Sequence, residues 1–261
     1  MKQLEKSVIE SLDGFDQELF PFIPYIFQDL WEIGSDPKAM LKLIRENIGH
    51  GKIAILDLGC GKGAVSITIT KALNCTAKGI DAVPEFIQSA RIYAEKYNVS
   101  HLCEFEVGDI RTEIKGLKGF DIVILGAIGQ ALGNLQETLK SITASLNTPG
   151  YVLLDDAYIE DSSSISYEGC LKKIDFYDQI LSSGLQVVDE VIFDKHTIEE
   201  SDKFIYTSLE KRIGELILQH PDKKELFLRY LSSQEYENQL LENELVTGAW
   251  LLKLKAADTG L

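Results

Sequence analysis

The sequence predicts an α/β fold wound around a mostly parallel sheet, on three observations. Short apolar runs rich in β-branched residues alternate along the chain with stretches of helical periodicity, the order of successive β-α-β units. The first run, Ile53-Ala54-Ile55-Leu56-Asp57-Leu58, leads into Gly59-Cys60-Gly61-Lys62-Gly63, which reads as a buried strand feeding a tight loop and a helix N-terminus. Asp57, Asp81, Asp109 and Asp155 each stand at or beside the end of an apolar run. That is the edge where open α/β sheets hold ligands.

The 261 residues suffice for one such domain with embellishments,. Apolar residues make up 45% and charged residues 26%, ordinary globular usage that indicates neither disorder nor a membrane class. With 41 acidic against 26 basic side chains the net charge is −15. The average surface therefore repels a polyanion, and no Lys or Arg run offsets it. A small molecule is the expected partner, not a nucleic acid. The N-terminus lacks the apolar core of a signal peptide, and Asp121, Asp155 and similar residues interrupt every candidate membrane span,. A cytoplasmic location away from membranes is the expectation. Cys60, Cys75, Cys103 and Cys170 form no C-x-x-C, and His50, His101, His196 and His220 form no close pair. Reduced thiols and no bound metal are expected.

Residues 1–50 read as a helical cap. Leu4, Val8 and Leu12 recur at helical spacing, as do Phe22, Ile26, Leu30 and Ile33 up to Gly34,. Asp36 as N-cap, Pro37 at the first position and Gly49 past the end frame a third helix, with Met40, Leu43, Ile44 and Ile48 on one face,.

The core, residues 51–193, follows. Val65, Ile67 and Ile69 alternate with Ser66, Thr68 and Thr70 as a strand would,. Ala64 to Leu73 is nevertheless expected to be helix, because the next run, Thr76 to Ile80, should lie parallel to the first strand. A parallel pair requires a crossover. Pro84 opens a helix to Tyr97, Leu102 to Val107 is a third strand, and Phe120 to Leu125 a fourth. A helix over Leu132 to Leu146 turns at Thr148-Pro149-Gly150 into a fifth strand, Tyr151 to Leu154,. A helix over Leu171 to Ser182 and a sixth strand, Leu185 to Phe193, complete the core.

Residues 194–243 carry two amphipathic patterns, Ile198, Ile205, Leu209, Ile213, Leu216 and Ile217, then Leu226, Phe227, Tyr230 and Leu231,. They read as a helical insertion before the last strand. Residues 244–261 hold that strand, Leu245 to Leu254, and a tail from Ala256 that is expected to fray,.

Leu56-Asp57-Leu58-Gly59-Cys60-Gly61-Lys62-Gly63 resembles the first motif of class I S-adenosylmethionine-dependent methyltransferases. The resemblance extends over Ile53 to Leu154 and implies a Rossmann-like, seven-stranded, mostly parallel sheet with helices on both faces, under the cap and the insertion. It also implies S-adenosyl-L-methionine as cofactor, its methionine part held by the loop residues Asp57, Gly59, Cys60, Gly61 and Gly63. Asp81, followed by Ala82, would accept from the ribose hydroxyls about 20 residues after the loop. Asp109 would accept from the adenine amino group, with the Ile110 N–H reaching the ring. Gly126 and Ala127 lie in the small-residue loop after the fourth strand, where the cofactor and substrate would approach the backbone. No Asp or Asn with Pro-Pro and an aromatic stands there, so the base-methylating subclass loses support. Phe15, Phe20, Phe22, Tyr25, Phe27 and Trp31 cluster in the cap and suggest a lid lining a pocket over the cofactor.

Gly59-x-Gly61-x-x-Ala64 also satisfies the dinucleotide fingerprint,, which keeps an NAD-binding oxidoreductase as an alternative. Asp57 opposes it. Two like charges about 4 Å apart repel by roughly 4 kcal/mol at an effective dielectric of 20, whereas a methionine ammonium or sulfonium would be welcomed. The expected activity is methyl transfer to a small-molecule acceptor by in-line displacement, in which positioning carries much of the rate. Asp155, Tyr158 and His196 are the positional candidates for a base where the nucleophile must lose a proton. A non-catalytic S-adenosylmethionine-binding module is the second alternative, and a homodimer is left open.

Overall fold

A computed structural model describes residues 2–49, 51–167 and 169–255; His50 and the expected fraying tail, Ala256 to Leu261, lie outside the described residues. The cap consists of α1 (Lys2–Glu10), a 3₁₀ turn (Gln17–Phe22), α2 (Ile23–Ile26) and α3 (Pro37–Asn47). The core follows with β1 (Ala54–Leu58), α4 (Ala64–Leu73), β2 (Thr76–Asp81), α5 (Pro84–Lys96), β3 (Cys103–Val107), α6 (Ile110–Glu113) and β4 (Phe120–Gly126). It continues through α7 (Leu135–Thr143), β5 (Leu146–Ile159), β6 (Leu171–Lys172), α8 (Lys173–Ser182) and β7 (Leu185–Ile192). Helices α9 (Lys195–Gln219) and α10 (Lys224–Asn243) then precede β8 (Val246–Leu254).

The sheet runs β3-β2-β1-β4-β5-β8-β7, with β6 paired to β5 off that path. Both antiparallel pairings, β5 with β8 and β7 with β8, involve β8, and the other pairings are parallel. The chain leaves β1 for β2 on one side and reaches β4 on the other, so the loops after β1 and β4 diverge at a topological switch point,. Helices α3 and α4 cover one face with a cluster that includes Met40, Leu43, Val65 and Ile69. Leu139 and Ile142 of α7, with Phe176 and Ile180 of α8, cover the other around Trp250.

The crossover argument for Ala64 to Leu73 is borne out. Ser66, Ile67, Ile69 and Thr70 of α4 are all fully buried, so the alternation in sequence marks no face. Four boundaries move. The expected cap helix from Phe22 to Ile33 is the 3₁₀ turn and the single turn α2, because Pro21 and Pro24 punctuate it,. Helix α7 starts at Leu135 rather than Leu132, where Asn134 and Glu137 form a reciprocal capping box,. Strand β5 already begins at Leu146 and absorbs Thr148-Pro149-Gly150 with a register shift against β4. Residues 171 and 172 form the short strand β6, which defers α8 to Lys173.

A separate apolar cluster joins cap to insertion above the carboxyl end of the sheet. It unites Ile9, Leu19, Ile23, Ile26 and Leu30 with Leu209, Ile213, Phe227 and Tyr230, and reaches Val83 and Phe86 of the core. Its rim is polar: Arg212 forks onto Asp29, and Tyr25 donates to Glu215 at 2.5 Å. Among the described residues no helix is long and apolar enough to cross a membrane.

Phe227 is fully buried at the centre of this cluster and meets Phe22 edge-on, with ring centroids 5.0 Å apart. Phe227→Ala is expected to lower the unfolding free energy by about 3–5 kcal/mol. Leu218→Ala, at a position 84% exposed, should change it by less than about 0.5 kcal/mol. Urea denaturation of the two variants checks both.

Candidate active site

The glycine loop after β1 is fastened to the end of β2. Gly59 and Cys60 donate their N–H groups to the Ile80 carbonyl at 2.8 and 3.1 Å. Gly61 and Val83 donate theirs to the two carboxylate oxygens of Asp81, each at 2.8 Å. Gly61 has φ +52°, and a Cβ built there meets nothing within 4 Å, so this bend faces open space. A Cβ on Gly59 would stand 2.7 Å from Ile128 of the loop after β4, which only glycine permits.

The loop opens on a cleft of about 700 Å³, counting the space at its mouth, within the range of small-molecule sites. Gly59, Gly61, Asp81, Ala82, Asp109, Ile110, Gly126 and Ala127 all line it. A chamber of about 340 Å³ adjoins it, shares Ile33, Gly59, Gly61 and Gly126 with it, and adds Asp57 and Cys60. Gly63 lines neither. It caps α4 at φ +74°, and its missing Cβ makes room for the Phe105 ring and Ala90, so packing accounts for it.

Charge in the site is mostly negative and buried. Burial pushes the Asp57 carboxyl up to about 7 against the Ser66 hydroxyl, which donates to it at 2.6 Å, and the Asp81 charge adds to the rise. Burial likewise raises Asp81, against the N–H groups of Val83 and Gly61. Asp109 is different: the Arg111 guanidinium holds it below the usual carboxylate range. Arg111 donates through Nε and Nη2 at 2.8 and 2.7 Å, and its Nη1 reaches the Gln3 carbonyl of α1 at 3.3 Å. Burial, with Asp57 and Asp81 nearby, pushes the Cys60 thiol up, so this residue supplies no thiolate nucleophile.

Two features escape sequence reasoning. Leu4, Ser7 and Val8 of α1, with Ser11 and Leu12 of the turn after it, line the cleft; the helical spacing of Leu4, Val8 and Leu12 was visible, their target was not. Lys62, inside the glycine loop, is buried, and burial lowers it to about 8. Its Nζ donates to the carbonyls of Phe27 and Leu30 at 2.5 and 2.6 Å, and Trp31 Nε1 returns a bond to the Lys62 carbonyl at 3.1 Å. Partners so far back in the chain have no local signal.

The aromatic lid is corrected accordingly. Of the six cap aromatics only Trp31 lines either space, stacked on Tyr93 and Tyr97. Phe22 and Phe27 pack inward against Phe227 and Phe86, while Phe15 lies under Arg229.

The three candidate bases separate. Tyr158 is 4% exposed, packed against Phe176 and Trp250 in the core because β5 runs on to Ile159. His196 sits on the first turn of α9, its side chain 79% exposed and 3.5 Å from Glu200. Neither lines the cleft or the chamber. Asp155 also lines neither space; it pairs with Gly126 across β4 and β5 and lies against the side chain of Ser35, which lines the chamber. Burial and then the Asp156 charge push it up to about 7.

Residues 50–174 match the family model described as a methyltransferase domain. Over 80 residues the chain is 38% identical to a 2-heptyl-1-hydroxyquinolin-4(1H)-one methyltransferase of Mycobacteroides abscessus, spanning 31% of this chain and 34% of that relative. It is 24% identical over 149 residues to a carboxy-S-adenosyl-L-methionine synthase of Klebsiella pneumoniae, 55% of this chain and 60% of the relative. The chain thus spans about a third of the length of the first of these curated relatives and 60% of the second. Its fold is that of a Geobacter sulfurreducens S-adenosylmethionine-dependent methyltransferase solved with S-adenosyl-L-homocysteine. The TM-score is 0.76 at 18% identity, covering 90% of this chain and 98% of the other. A Thiobacillus denitrificans counterpart scores 0.74 at the same identity and coverage.

Asp57 and Asp155 hold their protons to about pH 7 when folded and release them near 3.9 when unfolded. Over that window the folded state binds more protons, so stability falls as pH rises and the loss is complete above about 7. Thermal unfolding of the ligand-free protein is expected at a lower midpoint at pH 8 than at pH 5. Asp155→Asn should flatten that slope.

Proposed function

Because residues 50–174 match the model of a methyltransferase domain, we propose that the protein transfers a methyl group from S-adenosyl-L-methionine to a small-molecule acceptor. One observation carries the reading. Asp57 and Asp81, buried at the glycine loop, are answered only by N–H and O–H groups, with no cationic partner among the described residues. Buried carboxylates left in this state favour a positively charged ligand. They disfavour a pyrophosphate, and with it the dinucleotide alternative.

The residues present fit such a group. Asp81 keeps acceptor capacity beyond the two backbone bonds it receives and would take the ribose hydroxyls. Asp109 and Ile110 would meet the adenine, with the Arg111 fork holding the carboxylate in place. Asp57, Gly59, Cys60, Gly61, Gly126 and Ala127 would surround the methionine end. When bound, S-adenosyl-L-methionine supplies a methyl group already activated by its sulfonium.

What the chain adds is orientation and exclusion of water. Leu4 and Val8 of α1, Leu12 just after it and Phe86 of α5 give the cleft an apolar wall, which strengthens every charge interaction inside it. Ala127, held at φ +52° where a side chain is strained, turns the loop after β4 toward the cap, within 2.8 Å of where a Cβ on Gly34 would stand,. A net charge of −15 favours a small or cationic acceptor over a nucleic acid.

Asp81→Ala is expected to leave the sheet folded but release the Gly61 and Val83 N–H groups, and to weaken cofactor binding at least about tenfold. Calorimetric titration with S-adenosylmethionine, S-adenosylhomocysteine and NAD checks this. Tight binding of NAD alone would reverse the assignment.

A further inference from the structure

Helix α10 grips the roof of the cleft along one face. Tyr230, Ser233, Gln234 and Glu237 recur at i, i+3, i+4 and i+7,, and all four meet the turn that follows α1. The Leu12 carbonyl takes the Tyr230 hydroxyl at 2.9 Å and the Gln234 side-chain amide at 3.3 Å, and the Asp13 carbonyl takes the Ser233 hydroxyl at 3.0 Å. Glu237 completes the row with a hydrogen bond between its carboxyl and that of Asp13. What is gripped belongs to the cleft. Ser11 and Leu12 line it, and the Ser11 Cα rests on the loop after β4, 3.7 Å from where a Cβ on Gly129 would stand.

The last contact differs in kind from the other three. Two ionised carboxylates repel, so a hydrogen bond between Asp13 and Glu237 requires one shared proton. The surroundings keep it there. Burial, and then the bond to Asp13, hold the Glu237 carboxyl far above the ordinary carboxylate range, and the charge of Asp202 on α9 adds to the rise. Asp202 is itself 9% exposed and stands near Glu242. Burial, then the Asp13 and Glu237 charges, raise the phenols of Tyr230 and of Tyr167 in the segment between β5 and β6, with Tyr236 and Cys170 near the latter. The cations on these elements face elsewhere: Arg229 lies over the Phe15 ring, and Lys6 pairs with Glu10. Among the described residues no Lys, Arg or His pairs with Asp13, Glu237 or Asp202.

Lifting the turn from α10 places both carboxyls in water, where such groups ionise at about 4, and the proton passes to solvent. At neutral pH the open state then carries one proton fewer than the closed state, so its equilibrium constant rises about tenfold for each pH unit. We propose that Asp13 and Glu237 form a latch by which the insertion holds the roof of the cleft closed, and that opening the roof releases their shared proton. The methyl-transfer reading enters only in choosing a ligand to report on the cleft.

Hydrogen exchange in the ligand-free full chain tests the latch. Ser11, Leu12 and Gly14 donate their N–H groups to the Ser7 and Ile9 carbonyls, bonds that a nine-residue helix freed of its contacts does not hold,. Their protection, corrected for intrinsic exchange, should fall by up to about tenfold per unit from pH 6 to 8 in the wild type. Glu237→Gln, which donates at any pH, and Asp13→Asn should both keep the roof closed and lose that slope. Asp57 and Asp155 titrate in the same range but act on the whole fold, so the amides of β4 serve as the internal reference. Dissociation of S-adenosylhomocysteine should quicken with pH in the wild type, and by at least about tenfold less over the same interval in Glu237→Gln. Equal slopes in the wild type and both variants, at the turn or in the dissociation rate, would overturn the proposal. Should the wild type not bind S-adenosylhomocysteine, the cofactor reading fails, and exchange at the turn alone decides the latch.

Discussion

The site depends on one splice between strands. Asp81 at the end of β2 takes the N–H groups of Gly61 and Val83, and Ile80 just before it takes those of Gly59 and Cys60. A loop of glycines left to itself samples many conformations. Three backbone donors of the loop, from Gly59, Cys60 and Gly61, drawn to two consecutive residues of the neighbouring strand reduce it to one. The carboxylate that fixes the loop is also the one facing the cleft, so the geometry of the binding site and its charge come from the same side chain. Placing it there carries a cost, visible in the upward pull of burial on Asp81 and on Asp57 beside it.

A second coupling runs from that loop to the cap. Lys62 donates into the carbonyls of Phe27 and Leu30, and Trp31 donates back. The Phe27 carbonyl takes only the Leu30 N–H besides, and the Leu30 carbonyl has no other backbone donor among the described residues, because the cap chain there is irregular, not helical. The irregularity that defeats periodicity is therefore what lets the cap hold the loop. Arg111 provides the corresponding tie at the other end of the cleft, from Asp109 to the Gln3 carbonyl of α1. Cap and floor are joined at both ends, and ordering one orders the other.

This explains which parts were legible in the sequence. Strand-loop-helix signals around Asp57 and Gly59 are local, and parallel pairing forced α4 to be helix despite its alternation. Gly63 could not be told from its loop neighbours, because the need for glycine there comes from Phe105 and Ala90, distant in sequence. Tyr158 looked like a residue past a strand end, but β5 continues, and period-two alternation carries its ring to the face of Trp250,. The cap aromatics were seen as a group and misplaced as a group, since composition marks burial without saying against what. Ser35 carried no signal at all; its place against β4 depends on the missing side chain at Gly126.

Buried acids without cationic partners are a poor way to stabilise a domain, and this chain concentrates them at its cleft. Asp57, Asp81 and Asp155 lie within a short stretch of sheet edge, while the Arg and Lys pairs that elsewhere answer acids stand at the cap rim and on the strand surface. A ligand that binds only the folded state adds RT ln(1 + [L]/Kd) to its stability. A cationic ligand here adds more, because it removes a penalty already present in the free protein. Stability withheld from the empty fold is then recovered as affinity, and the same burial discriminates, since an anion entering that space meets the carboxylates as repulsion. Discrimination against an anion is in this sense built into the strand ends before any ligand arrives.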